Sequence, residues 1–290
     1  MTAPVGEAVG SAAAATSSPT DATEGASRVR AAFERARADG RAALIPLIVA
    51  GYPDDETSHV AGLAAIDAGA DLLEVGLPYS DPLADGATLQ RASSAALRAG
   101  ATLARSLALI DRIAATRPEV PLVPMGYANQ LIGGGDGSSL ALRLAAAGAA
   151  AVIVADLTPD EGGPFEAAAA AAGLGVVYLV APTTPLARVG RVAARTGGFL
   201  YCVSLVGVTG ARTSLPSTVG RLIRSVAARS PVPVAVGFGV SRPAHVRALV
   251  RAGADGVIVA SALIDRLGPD GRDVEGLAAL VRELRAATRR

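Results

Sequence analysis

The chain contains no lysine; all 27 of its basic residues are arginine. It therefore has no side-chain amine to form a Schiff base with a carbonyl substrate or with pyridoxal phosphate. A single cysteine, Cys202, excludes an internal disulfide framework and a cysteine-rich metal site. The two histidines, His59 and His245, lie far apart with no ligand spacing around either, so no catalytic zinc or other metal site is expected. Tryptophan is absent and aromatics make up 3% of residues, which leaves little for stacking on bases. The formal net charge is only +1, so neither nucleic acid nor a membrane surface is an expected partner. No apolar run reaches the roughly 18 residues of a membrane span. The expectation is a soluble, cytoplasmic protein.

What the chain does have is apolar mass, 51% of 290 residues, enough for a large core. Residues 1–25 (MTAPVGEAVGSAAAATSSPTDATEG) carry Ala, Ser, Thr and Gly without apolar period and read as a disordered tail. They lack the basic segment and solid apolar core of a signal peptide. Residues 26–290 read as one domain. It opens with an amphipathic helix from Ser27 to Asp39 that places Val29 and Phe33 on one face.

A repeat then appears in which a helical pattern ends in small residues, a glycine follows, and a short β-branched run comes next. It is seen in AGADLLEVG (68–76), AGAAAVIVAD (147–156), AGLGVVYLVA (172–181), TGGFLYCVS (196–204) and RAGADGVIVAS (251–261). The glycine suits the position just past a helix end, where positive φ is wanted. With ALIPLIVAG, VPLVPMG and VPVAVGFG there are eight strand candidates, near 44–50, 71–76, 121–126, 151–155, 175–180, 199–203, 233–236 and 256–259. Helical patterns separate them. Strands apolar on both faces, alternating with helices, imply a parallel sheet covered by helices. Eight such units in about 250 residues predict an α/β fold of the (β/α)₈, or TIM, barrel type with an extra N-terminal helix; an open doubly wound sheet is the rival. In a barrel, chemistry sits at the C-terminal ends of the strands.

Those ends hold specific residues. Glu74 interrupts the apolar run LEVG, and an unpaired carboxylate at a barrel mouth suits a general acid/base. A structural carboxylate capping a loop is the alternative. Asp81 precedes Pro82 and reads as a turn organiser. Asp85, in LADG, either turns the chain or reaches over the mouth. Tyr127 and Tyr201 close their strands, and their hydroxyls either face the mouth or are satisfied in the core. Residues 205–217, LVGVTGARTSLPS, form a Gly- and Thr-rich stretch suited to a lid hinged at Gly207 and Gly210. VGFGVS (236–241) and IVASALID (258–265), the latter opening a short helix at Ser261, match the recurrent phosphate site of this barrel.

LEVGLPYSDPLADGATLQ (73–90) resembles the PFSDPLADGP-x-IQ run of the tryptophan synthase α subunit family. YCVSLVGVTG (201–210), GFGVS (237–241) and PLIVAGYP (46–53) are similar to further segments of that family, and the likeness spans about residues 27–288. The resemblance implies retro-aldol cleavage of indole-3-glycerol phosphate to indole and glyceraldehyde 3-phosphate. It implies Glu74 as the general acid/base and Asp85 as the carboxylate accepting the indole N–H. Tyr201 would line the indole site, and Thr209 would sit in the closing loop. Gly210, Gly239 and Ser261 would hold the phosphate, and Tyr127 and Phe238 are further expected substrate-binding residues. No cofactor is implied for this chain; pyridoxal phosphate would belong to a β subunit partner in an α₂β₂ complex. A stand-alone lyase releasing free indole, or a non-catalytic paralogue docking on a β subunit, are the alternatives. The chain departs from the family at Ala260, where glycine is usual before the phosphate-site serine, at Leu205 and Val206, and in the segment PMGYANQLIGGGDG.

Overall fold

The computed structural model describes residues 20–133, 135–204, 217–237 and 239–290. Nine parallel strands form one sheet in the order β5-β4-β3-β2-β1-β9-β8-β7-β6. They are β1 (Ala43–Val49), β2 (Leu73–Gly76), β3 (Leu122–Gly126), β4 (Ala151–Val154), β5 (Gly175–Val177), β6 (Leu179–Val180), β7 (Leu200–Val203), β8 (Val234–Gly237) and β9 (Gly256–Val259). The two ends of the sheet are successive pieces of one segment. β5 pairs with β4, and β6 pairs with β7. Between them the Tyr178 N–H turns aside to donate to Thr196 Oγ1 at 3.3 Å, and its carbonyl accepts from Tyr201 N–H at 3.0 Å. The single 175–180 candidate is thus split, and the sheet closes through it into a (β/α)₈ barrel.

The repeat glycines do what their position suggests. The helix Asp55–Asp67 ends at Ala68, and Gly69 follows at φ 110°; the helix Pro243–Arg251 ends at Ala252, and Gly253 follows at φ 101°. Such a conformation is open to glycine and strained for side chains with a Cβ. Each turn thereby returns the chain to the next strand within a few residues.

Strand alternation sorts the core into two layers. Leu44, Ile48, Leu73, Val75 and Val257 point outward beneath the helices. Ile45, Leu72, Val123, Ile153, Phe199 and Ile258 fill the barrel interior. The helix Glu24–Ala38 closes the interior from below with Val29, Ala32, Phe33 and Ala36, and the Phe33 and Phe199 rings meet at 5.6 Å. This helix starts earlier than the sequence suggests, so the tail boundary at residue 25 falls in its first turn. Thr23 caps it by accepting from Ala26 N–H at 3.1 Å, and Thr20 is buried. Gly25 lies so close to strand β4 that a Cβ there would sit 1.9 Å from the Ala150 carbonyl oxygen.

A candidate active site at the barrel mouth

Glu74 is the second residue of β2, paired with Leu47 on β1 and Val123 on β3. Its neighbours Leu73 and Val75 face the helices, so Glu74 faces the barrel axis. It is fully buried, and among the described residues neither carboxylate oxygen has a hydrogen-bond partner. Burial disfavours the charged form, and the nearby Asp85 charge adds to the effect. Together they push its pKa from near 4.5 up to about 8.

Asp85 arrives from the loop after β2. That loop is tied down at Leu77, whose N–H donates to Met125 O at 2.8 Å, and by a turn in which Asp85 N–H donates to Pro82 O at 3.0 Å. Asp81 is exposed and accepts from Ser80 Oγ at 2.5 Å, in keeping with its reading as a loop organiser. Burial raises the Asp85 pKa to about 6, and a hydrogen bond from the Tyr127 hydroxyl opposes part of that rise. Tyr127 also accepts from Ala84 N–H at 3.1 Å, and its ring stacks on Tyr79 at 5.2 Å. Burial and the Asp85 charge push its own pKa upward. Tyr127 therefore stands behind Asp85, beside a small void with Leu77 and Ser93 that adjoins the cavity holding Glu74 through Leu47, Asp85, Leu89 and Met125.

A cavity of about 180 Å³ at the barrel mouth brings Glu74 and Asp85 together with Tyr201, Gly239 and Ser261. Leu47, Met125 and Ile258 supply its apolar wall. Tyr201 is 6% exposed, and its pKa lies well above the usual value because of burial first and the Glu74 and Asp85 charges second. Its hydroxyl occupies the space beside Gly237, where an added Cβ would come within 2.5 Å. Gly239 has φ 74°, a left-handed conformation that turns the loop after β8 into the cavity wall. Ala260 precedes the helix Ser261–Arg266 with φ −123°, a negative value that does not call for glycine.

Thr209, Gly210 and Phe238 lie outside the described residues. The sequence reading did not single out Leu47, Met125, Ile258, Thr88 or Asp265, all of which line the cavity. The inward side chains were recoverable from the two-residue strand period. Thr88 and Asp265 were not, because they meet across the mouth, Thr88 Oγ1 donating to Asp265 at 3.2 Å over 177 residues of sequence. Among the described residues no group of three or more His, Cys, Asp or Glu is placed to hold a metal ion.

The arrangement offers a protonated, water-shielded carboxyl next to a second acid held ionised near neutrality by a tyrosine, in a largely apolar slot. Such a pair can move a proton to carbon while stabilising positive charge on a flat aromatic substrate.

Comparison with known proteins agrees with this geometry. The family model for the tryptophan synthase alpha chain matches residues 33–289. A tryptophan synthase alpha chain from Chloroflexus aurantiacus is 46% identical over 268 residues, covering 91% of this chain and 99% of its own length. One from Picosynechococcus is 44% identical and covers 86% and 93% of the two chains. Among solved structures, tryptophan synthase of Mycobacterium tuberculosis superposes with a TM-score of 0.82 at 39% identity, over 91% of this chain and 98% of that one. The chain therefore belongs to the tryptophan synthase alpha chain family, whose members are lyases acting on indole-3-glycerol phosphate.

Proposed function

We propose that Glu74 and Asp85 carry the retro-aldol reaction of this family in this chain. The observation that carries the assignment is the pairing of a buried, unpartnered Glu74, with a pKa of about 8, and Asp85, at about 6, in one cavity.

Near neutral pH Glu74 is protonated and Asp85 is largely ionised. Indole-3-glycerol phosphate binds with its ring between the apolar wall and Tyr201 and its phosphate toward Gly239 and Ser261. Asp85 accepts a hydrogen bond from the indole N–H. Glu74 gives its proton to ring carbon C3, and the positive charge that develops on the ring nitrogen is stabilised by Asp85. The Glu74 carboxylate then takes the hydroxyl proton of the adjacent glycerol carbon. That hydroxyl becomes the aldehyde carbonyl as the C–C bond breaks, and the bonding electrons return to the ring. Glu74 ends protonated, and indole and glyceraldehyde 3-phosphate are released. The protonated ring is the electron sink, so a chain without lysine needs no Schiff base for this cleavage. Burial matters here because a carboxyl exposed to water would be ionised at neutral pH and unable to donate.

In this reading Thr209, Gly210 and Phe238 act in loop closure and phosphate binding. The complete synthase is an α₂β₂ complex in the cytoplasm, in which pyridoxal phosphate is held by the β subunit and indole passes to it for L-tryptophan synthesis. The test is steady-state cleavage of indole-3-glycerol phosphate by the purified chain, alone and with its cognate β subunit. Slow turnover that rises strongly with the partner is expected. Fast turnover indifferent to the partner would mean a free-standing indole producer, and no turnover in either condition would overturn the assignment.

A further inference from the structure

The net charge of +1 conceals a strong segregation. Residues 167–254 contain ten arginines and no Asp or Glu, whereas the rest of the chain holds seventeen arginines and twenty-six carboxylates. At the chain's overall acid frequency, that stretch of 88 residues would carry about eight acidic side chains. One contiguous piece of the barrel is therefore +10 and the remainder −9.

The fold gathers the described helices of this piece onto one flank. The helices Leu186–Arg195, Ser217–Ala227 and Pro243–Arg251 lie side by side on the outside of β6 to β9. Each buries its apolar stripe against the strands, through residues such as Val192, Ile223 and Leu249. The arginines are left on the outer side. Arg191 is exposed on the first helix, and Arg221 and Arg224 on the second, with Arg229 just beyond its end. Arg242, Arg247 and Arg251 are exposed on or beside the third. On this flank Arg188 pairs with Asp160 and Arg195 with Glu166, both acids coming from outside the 167–254 stretch. The other seven have no carboxylate partner among the described residues. Arg221 and Arg224 are three residues apart, and Arg247 and Arg251 four, so each pair stands one helical turn apart on one face. Like charges in that relation weaken a helix; Arg224 and Arg251 sit in the last turns of their helices, where the helix dipole favours a cation, and among the described residues no carboxylate joins them.

The chemistry of the flank selects among polyanions. None of the three helices contains an aromatic residue, and Leu186 is the exposed large apolar side chain they offer. An acidic protein partner could pair with these arginines, but the apolar or aromatic centre that protein interfaces bury beside such arginines is missing from this flank. Guanidinium groups match phosphate oxygens in bidentate geometry, and a row of them without stacking groups suits a phosphate backbone rather than bases. We propose that this flank is a binding surface for nucleic acid, engaged through backbone phosphates without base readout. It is separate from the cavity at the barrel mouth and independent of the reaction proposed there.

The experiment is fluorescence anisotropy of a labelled 20-bp mixed-sequence DNA duplex, titrated with the full chain from 50 to 200 mM salt. With about five arginines engaged at once, the slope of log K against log salt is expected near −4.5. The variant Arg221→Gln/Arg224→Gln/Arg247→Gln/Arg251→Gln should bind at least tenfold more weakly at 100 mM salt and lose about half of that slope. The same four positions changed to lysine keep the charge and should restore binding. A control, Arg105→Gln/Arg112→Gln/Arg117→Gln/Arg282→Gln, removes equal formal charge from arginines paired with Asp55, Glu56, Asp67 and Glu275, and should bind like wild type. Circular dichroism melts check that every variant folds. The proposal is overturned by no binding at 50 mM salt, by an equal loss in the control, or by binding to phosphatidylserine vesicles in place of the duplex.

Discussion

Replacing Glu74 with glutamine should make the protein harder to unfold in alkaline solution even as it removes the chemistry. In the unfolded chain Glu74 releases its proton near pH 4.5, whereas in the folded barrel it holds it to about pH 8. A raised carboxyl pKa means that folding is most favoured by this group below pH 4.5 and loses that support as pH rises toward 8. With the pKa raised from near 4.5 to about 8, the two-state linkage relation gives a penalty of about 2 kcal/mol at pH 6 and about 4–5 kcal/mol at pH 9. Glutamine carries no such penalty. Both side chains leave polar atoms in the same apolar slot, so that burial term largely cancels in the comparison of one pH with another. The variant should therefore gain about 2–3 kcal/mol on wild type between pH 6 and pH 9. Urea unfolding of both proteins at the two pH values, read as midpoints with unchanged m-values, measures this directly. Equal pH dependence of the two would refute the buried, proton-holding Glu74 on which the reaction scheme rests.

Other consequences are as specific. Since Glu74 must be protonated and Asp85 ionised, kcat/KM for indole-3-glycerol phosphate should be bell-shaped, falling below about pH 6 and above about pH 8; a flat profile across that range would contradict the two roles. Tyr127→Phe removes the hydrogen bond that holds the Asp85 pKa down, so the acid limb should move to higher pH while the alkaline limb stays in place. Gly239→Ala places a Cβ on a backbone at φ 74°, and should raise KM more than it lowers kcat if that loop holds the phosphate. Phe33→Ala empties the plug beneath the barrel and should lower stability by about 3–5 kcal/mol in urea titrations without altering KM.

The barrel was legible because its strands are apolar on both faces and its helix-ending glycines recur at a fixed place in five of its units. The helix Ala87–Arg98 escaped notice because its buried stripe is Ala92, Ser93 and Ala96, too small to register as an apolar period. The start of the first helix was placed late for a related reason. Gly25 looked like tail composition, yet it is small because the helix runs against the Ala150 carbonyl. The break at Tyr178 follows from a hydrogen bond to Thr196 that no local pattern encodes.

In the site, Glu74 was visible as a carboxylate in an apolar alternation, and the structure adds that nothing described neutralises it. The support of Asp85 by Tyr127 was hidden, since the two are 42 positions apart and meet only when β2 and β3 lie side by side. Charge was misleading in sum: the near-neutral total averages an acid-free stretch with an acid-rich remainder, and only the fold shows that the described helices of that stretch share one flank.

The central claim is that Glu74 supplies the proton to indole C3. Turnover of indole-3-glycerol phosphate by the Glu74→Gln variant, assayed with the cognate β subunit beside wild type, tests it most directly. The account predicts a fall in kcat of about 10²–10⁴-fold, the usual contribution of a positioned acid/base, with KM little changed. A variant that keeps ordinary turnover would contradict it.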